Sequence, residues 1–159
     1  MDLILWRHAE AFELGSGGDA GDAGVDFDRP LTTKGERQAK RMGDWLNRQL
    51  PASVKVMASP ARRAQQTADA LDRKFKTVPA LAPGGTVDGL LQAARWPDAR
   101  DGVLVIGHQP ALGLAAAYLL AGQTDIWPVR KGGVWWLRTR ERDGVRQVVL
   151  HTVMSPDLL

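Results

Sequence analysis

Leu3-Ile4-Leu5-Trp6-Arg7-His8-Ala9-Glu10 decides how the rest of the chain is read. Four consecutive apolar residues read as a strand buried on both faces, and the run stops abruptly on an arginine and a histidine. Open α/β sheets bind ligands at the carboxyl ends of their strands, so this pair stands where a site would form. Arginine offers a forked cation to a phosphate or carboxylate; histidine can attack, carry protons or bind metal. Alone, the pair is a weak signal, and its weight depends on whether other strand ends carry similar chemistry.

Two of them do. Residues 54–58 read as a second strand that runs into Ser59-Pro60, an N-cap followed by proline at the first helical position. The helix opened there buries Ala64, Ala68, Leu71 and Phe75. Its first turn carries Arg62 and Arg63, cations that oppose the helix dipole unless an anion binds beside them. Residues 102–107 read as a buried central strand ending on His108, after which Pro110 opens an apolar helix to about Ala121.

The elements between them alternate. Arg29-Pro30-Leu31-Thr32-Thr33-Lys34-Gly35-Glu36 opens a helix over 34–49, with Thr33 and Glu36 at capping-box spacing. Ala39, Met42, Leu46 and Leu50 make its core stripe, with Trp45 flanking. Residues 76–78 add a short strand, and Pro83-Gly84-Gly85 turns the chain towards a helix capped by Thr86 and running to about Trp96. Residues 134–140 and 146–153 form a hairpin around Glu141-Arg142-Asp143-Gly144. The expected fold is α/β: a three-layer sandwich with a mostly parallel central sheet, helices on both faces and antiparallel edge strands. Residues 1–159 are expected to form one domain. Parallel strands point one way, so Arg7-His8, Arg63 and His108 converge at one rim. The antiparallel strand after Pro128 starts at that rim, which brings Arg130 and Lys131 to the mouth.

Composition narrows the chemistry. The 159 residues are 44% hydrophobic and 25% charged, the profile of a folded globular chain. There is no cysteine, which excludes disulfides, thiolate catalysis and Cys-based zinc sites. No signal-peptide pattern or membrane-length apolar run is present, so a cytoplasmic protein without membrane contact is expected. Residues 13–28 hold five acids (Glu13, Asp19, Asp22, Asp26, Asp28), no Lys or Arg, and several glycines, which read as a solvated, mobile loop leaving from the Arg-His pair. Their spacing does not fit an EF-hand. Outside that loop, 21 basic residues face 13 acidic ones. They are scattered and accompany no nucleic-acid motif, so a phosphorylated ligand is favoured over nucleic acid. The two rim histidines lack a third ligand at metal-binding spacing, so no metal and no cofactor is expected. His151 lies inside a strand and is given no role.

Together, Arg7-His8 with Glu10, Ser59-Pro60-Ala61-Arg62-Arg63-Ala64-Gln65-Gln66-Thr67 and Gly107-His108 resemble the histidine phosphatase superfamily, whose fold is phosphoglycerate mutase-like. The short chain, Arg29-Pro30-Leu31-Thr32 and Met154-Ser155-Pro156 look like its compact SixA-type phosphohistidine phosphatase branch. The resemblance implies that His8 is the nucleophile, forming a phosphohistidine intermediate, and that Arg7, Arg63 and His108 hold the phosphoryl oxygens. It selects Arg63 over Arg62. Arg29, Arg130 and Lys131 are the further substrate-binding candidates. Ala9 stands where much of the superfamily has glycine, which leaves room for substrate. Two carboxylic acids used elsewhere in the superfamily are missing: Gln109 follows His108, and Leu81-Ala82-Pro83-Gly84-Gly85 holds no acid before Asp88. The implied activity is removal of phosphate from a phosphohistidine-bearing carrier or phosphotransfer protein, with inorganic phosphate as product. A small-molecule phosphomonoesterase and a non-catalytic phosphate-binding module are the alternatives.

Overall fold

The computed structural model describes residues 1–14 and 23–159. The expected Asp19 and Asp22 of the acidic loop lie outside these residues. Six strands form one sheet in the order β3-β2-β4-β1-β5-β6. They are β1 (Asp2–Arg7), β2 (Lys55–Ala58), β3 (Lys76–Thr77), β4 (Val103–Gly107), β5 (Val134–Arg142) and β6 (Val145–Met154). β3, β2, β4 and β1 run parallel; β5 joins β1 antiparallel, and β6 closes the edge antiparallel to β5.

The pleat explains the layers. Successive strand side chains face opposite ways, so a fully apolar strand supplies two cores. Ile4 and Trp6 of β1 join Leu104 and Ile106 of β4 against Met42 and Leu46 of α2 (Thr33–Gln49) and Ala64 and Ala68 of α3 (Arg62–Asp69). Leu3 and Leu5, with Val103 and Val105, pack instead on Leu90 of α4 (Val87–Ala93) and on Leu112, Ala115 and Ala116 of α5 (Ala111–Ala121). This is the expected three-layer α/β sandwich. His151 stacks edge-on against Trp136, ring centroids 4.9 Å apart.

Several boundaries differ from expectation. The α2 N-cap is Thr32, not Thr33: its Oγ1 accepts from Gly35 N at 3.0 Å. Gly35 is required there, because a Cβ would lie 1.9 Å from the Glu10 carbonyl oxygen, and this contact seats α2 on the loop after β1. α3 begins two residues later than Ser59-Pro60 implied, at N-cap Ala61, which has no side-chain capping bond. It also ends at Asp69, so Leu71 and Phe75 reach the core from beyond the helix. α4 stops at Ala93, short of Trp96. The acidic loop is not uniformly irregular: residues Ala23–Phe27 form the short helix α1.

Candidate active site

Register builds the site. β1 pairs with β4 so that Arg7 lies opposite Gly107, and β2 pairs with β4 so that Ala58 lies opposite Ile106. His8, His108 and Ser59 therefore leave the sheet side by side. The bonds continue past the strand ends, from His8 N to Gly107 O and from Ser59 N to Ile106 O. The two imidazoles come within 5.1 Å, centroid to centroid. β5 starts at this rim: Gly132 N donates to His8 O, Arg7 N donates to Gly133 O, and Trp6 Nε1 donates to Gly132 O.

Two hydrogen bonds set the His8 tautomer. Nδ1 lies 2.8 Å from the Ala9 carbonyl oxygen, which can only accept, so Nδ1 carries the proton. Nε2 then keeps its lone pair and accepts from Arg63 Nε at 3.3 Å. A neutral imidazole with a free lone pair is a nucleophile. Its neighbour Ala9 turns its methyl into a small cluster with Ala11, Leu31 and Ala39, while its N–H donates to Thr67 Oγ1.

Two buried nitrogens on the residues that line the cavity with His8 have no partner among the described residues. Arg7 Nη1 donates to Val129 O at 2.8 Å, but its buried Nε–H has none. His108 Nε2 lies 2.7 Å from Ser59 Oγ, which itself accepts from Ala61 N, and the buried His108 Nδ1 is also unpartnered. Buried polar atoms without partners are uncommon, and here two belong to residues that border one small space. That space is a cavity of about 260 Å³ lined by Arg7, His8, Ala11, Glu13, Arg29, Arg63, Pro83, His108, Gln109 and Lys131. A larger hollow of about 650 Å³ runs along the start of β2 past Lys55 and Phe75, but it contains no histidine and lies away from the rim.

Acids from the loop after β1 close over the arginines. The Asp26 main-chain oxygen accepts from Arg63 Nη1 at 2.8 Å, and its carboxylate bridges Arg63 Nη2 (3.3 Å) and Arg29 Nε (3.1 Å). The loop expected to be solvated thus has a structured end that reaches the site. Partial burial works to raise the Asp26 carboxyl, but Arg63 and Arg29 together hold it below the usual carboxylate range. Neither Asp26 nor Ser59 was singled out as a site residue by the sequence; the signal for Asp26 was an acid in a loop leaving directly from the Arg-His pair.

The remaining candidates divide. Arg29 and Lys131 line the cavity, whereas Arg130 points to a neighbouring groove and meets Asp157 at 3.5 Å. Arg62 is exposed and turns towards Asp28. Gln109 bonds Trp127 O and Gly113 N, anchoring the first turn of α5. Asp88 is exposed on α4 and does not line the cavity.

Burial dominates the protonation of the histidines. It pushes His8 from 6.5 down to about 3 against the Ala9 hydrogen bond, with His108, Arg63 and Arg7 adding repulsion. Burial likewise takes His108 to about 3, with Arg63 the next contributor. Both imidazoles are neutral at physiological pH. An unfolded chain has a histidine pKa of ~6.5, so it binds more protons than the fold between about 6.5 and about 3. Stability should therefore fall as pH drops through that window. In thermal unfolding, His8→Asn should lessen the fall; a Tm that rises on acidification, or an equal fall in the variant, contradicts this.

The chain belongs to the histidine phosphatase superfamily (branch 1), which residues 3–84 match. Within it the chain groups with the SixA-type proteins. It is 35% identical over 133 residues to the phosphohistidine phosphatase SixA of Escherichia coli, covering 78% of this chain and 77% of that one. An uncharacterised protein of Picosynechococcus is 34% identical over 160 residues, covering 96% and 91%. The solved structure of the protein histidine phosphatase SixA complexed with tungstate superposes with a TM-score of 0.72 at 28% identity over 99% of each chain. These likenesses make the chain a phosphatase of the hydrolase class. His108 and the 130–133 loop lie beyond the matched family stretch and are brought to it by the sheet.

Proposed function

We propose that this single domain removes phosphate from phosphorylated histidine on a carrier protein, through a phosphohistidine at His8. The observation that carries this reading is a pair of buried nitrogens without a partner among the described residues, Arg7 Nε and His108 Nδ1, on two residues that line one cavity with His8, whose Nε2 keeps its lone pair. The reaction then runs in line. Nε2 releases the Arg63 Nε–H and attacks phosphorus, and the bond to the leaving imidazole of the substrate breaks. Arg7 Nε–H and, with the Ser59 hydroxyl donating to Nε2, His108 Nδ1–H hold the equatorial oxygens. A phosphoryl oxygen takes Arg63 Nη2 from the Asp26 carboxylate. Water next attacks the phosphohistidine, returning His8 and releasing inorganic phosphate. Three arginines around the cavity supply the charge neutralisation that a metal provides in other phosphatases, so chelation with EDTA should leave the rate unchanged.

The test is phosphate release from a phosphohistidine-bearing protein, a panel of phosphorylated metabolites and p-nitrophenyl phosphate. Metabolite turnover exceeding that of the protein favours the small-molecule phosphomonoesterase; no turnover of any substrate leaves a binding module. Arg7→Ala, Arg63→Ala and His108→Ala should each lower kcat/KM by ~10²-fold or more, as loss of an oxyanion donor does. Arg62→Ala should cost little, because its side chain is exposed and engaged with Asp28. A larger loss from Arg62→Ala than from Arg63→Ala overturns this assignment.

A further inference from the structure

The exposed face of α2 carries Lys34, Arg37 and Arg41 in one line at helical spacing. Seven residues of helix span ~10 Å, so the three cations form a stripe two turns long. The side chains of Arg37 and Arg41 have no ion pair or hydrogen bond among the described residues, and Lys34 Nζ lies 3.9 Å from Glu10 Oε2. Their side chains form one wall of a cleft of about 300 Å³, with Gln38, Pro156 and Asp157 completing it.

This cleft shares a wall with the active site. Gln38 Oε1 accepts from Glu10 N, two residues past His8. A Cβ on Gly132 would lie 3.2 Å from Pro156 and 3.4 Å from Gln38, so the 130–133 loop packs directly between cleft and cavity. Lys131 lies on the cavity side of that loop, and Arg130 stands on its outer side. Among the described residues around this part of the mouth, Lys34, Arg37, Arg41, Arg130 and Lys131 outnumber the carboxylates of Glu10, Glu13 and Asp157. The other cationic hollow, by Lys55, Lys74 and Lys76, borders the start of β2 at the opposite end of the sheet.

We propose that the Lys34-Arg37-Arg41 face of α2 and the Arg130-Lys131 loop form a docking surface for an acidic surface flanking the phosphohistidine of the partner protein. The proposal rests on the protein-phosphohistidine reading above and adds the face and charge by which the partner is selected. The complement is a set of carboxylates beside the histidine delivered to His8. Its contribution falls mainly on encounter and KM, since the face touches no reacting atom and steering by charge raises association rates by ~10–10³-fold.

The test uses the charge-reversed double variant Arg37→Glu/Arg41→Glu and three substrates. Two are carrier proteins phosphorylated on histidine, one acidic and one basic around that residue; the third is p-nitrophenyl phosphate. For the acidic carrier, kcat/KM should fall about tenfold or more, chiefly through KM, at the lower end of the steering range. The basic carrier should not lose, and p-nitrophenyl phosphate turnover should stay within about twofold, which also shows the variant is folded. The wild-type rate on the acidic carrier should drop with rising ionic strength, and that dependence should flatten in the variant. An unchanged rate on the acidic carrier, or equal loss on all three substrates, overturns the docking surface while leaving the function standing. Wild-type protein that hydrolyses p-nitrophenyl phosphate but neither carrier overturns both.

Discussion

His8→Ala is expected to reduce turnover to background and to abolish a phosphoenzyme that resists alkali and decays in acid. Among the described residues, no other imidazole, thiol or hydroxyl at the cavity is free to take over the attack. The chain has no cysteine, Ser59 is fully buried and bonded to His108, and with the Ser59 hydroxyl donating to His108 Nε2 the proton sits on Nδ1, which leaves His108 no free lone pair. Among the described residues that line the cavity, His8 is the imidazole that keeps a lone pair, with Nδ1 bonded to the Ala9 carbonyl and Nε2 accepting from Arg63. Removing a nucleophile from such a constellation costs on the order of 10⁴–10⁶ in kcat, and the binding groups that remain still hold substrate. His8→Asn is the control for packing, since an amide fills much of the same space without forming a stable phosphoenzyme. Both variants should bind inorganic phosphate or tungstate and keep a cooperative melt. Substantial turnover in either, or a labelled phosphoenzyme in His8→Ala, would sink the mechanism.

The parts legible in the sequence were those governed by local pattern. A run such as Leu3-Ile4-Leu5-Trp6 must be buried on both faces, and a helix must follow each such strand for a parallel sheet to form. From those two statements the convergence of Arg7, His8, Arg63 and His108 follows without coordinates. Less legible were features in which a side chain chose between a local and a distant partner. Ser59 has the chemistry of an N-cap, yet its hydroxyl meets His108, 49 residues away, and the helix starts later. Thr32 wins the α2 cap over Thr33 because Gly35 must approach Glu10. Asp26 belongs to a loop whose spacing suits no cation site, and its carboxylate meets Arg63, 37 positions on, as well as the nearby Arg29. Gln109 marked a missing acid; its structural task at the start of α5 depends on Trp127 and has no local signature.

Selectivity between leaving groups follows from the acids around the cavity. An alkyl phosphate expels an alkoxide whose conjugate acid is about as weak as water, so it needs a proton donor in the transition state. Such a donor contributes ~10²–10⁴-fold. Asp26 stands closest to the arginines, but they hold it as a carboxylate, below the range of a useful acid at neutral pH. Gln109 has no proton to give and is bonded at both ends, and Asp88 is outside the cavity. Glu13 lines the mouth and is exposed, which leaves it as the carboxyl to test among the described residues. A phosphorylated imidazole needs none of these, because it can enter carrying its own proton and leave as neutral imidazole, conjugate acid pKa ~6.5. For peptides of matched sequence, kcat/KM on phosphohistidine should therefore exceed that on phosphoserine by at least ~10²-fold, the lower end of the general-acid range. Asp88→Asn should change neither rate, and Glu13→Gln should leave the phosphohistidine rate intact. Comparable rates on the two peptides, or a collapse of phosphoserine turnover in Asp88→Asn, would shift the assignment to a phosphomonoesterase with its own proton donor.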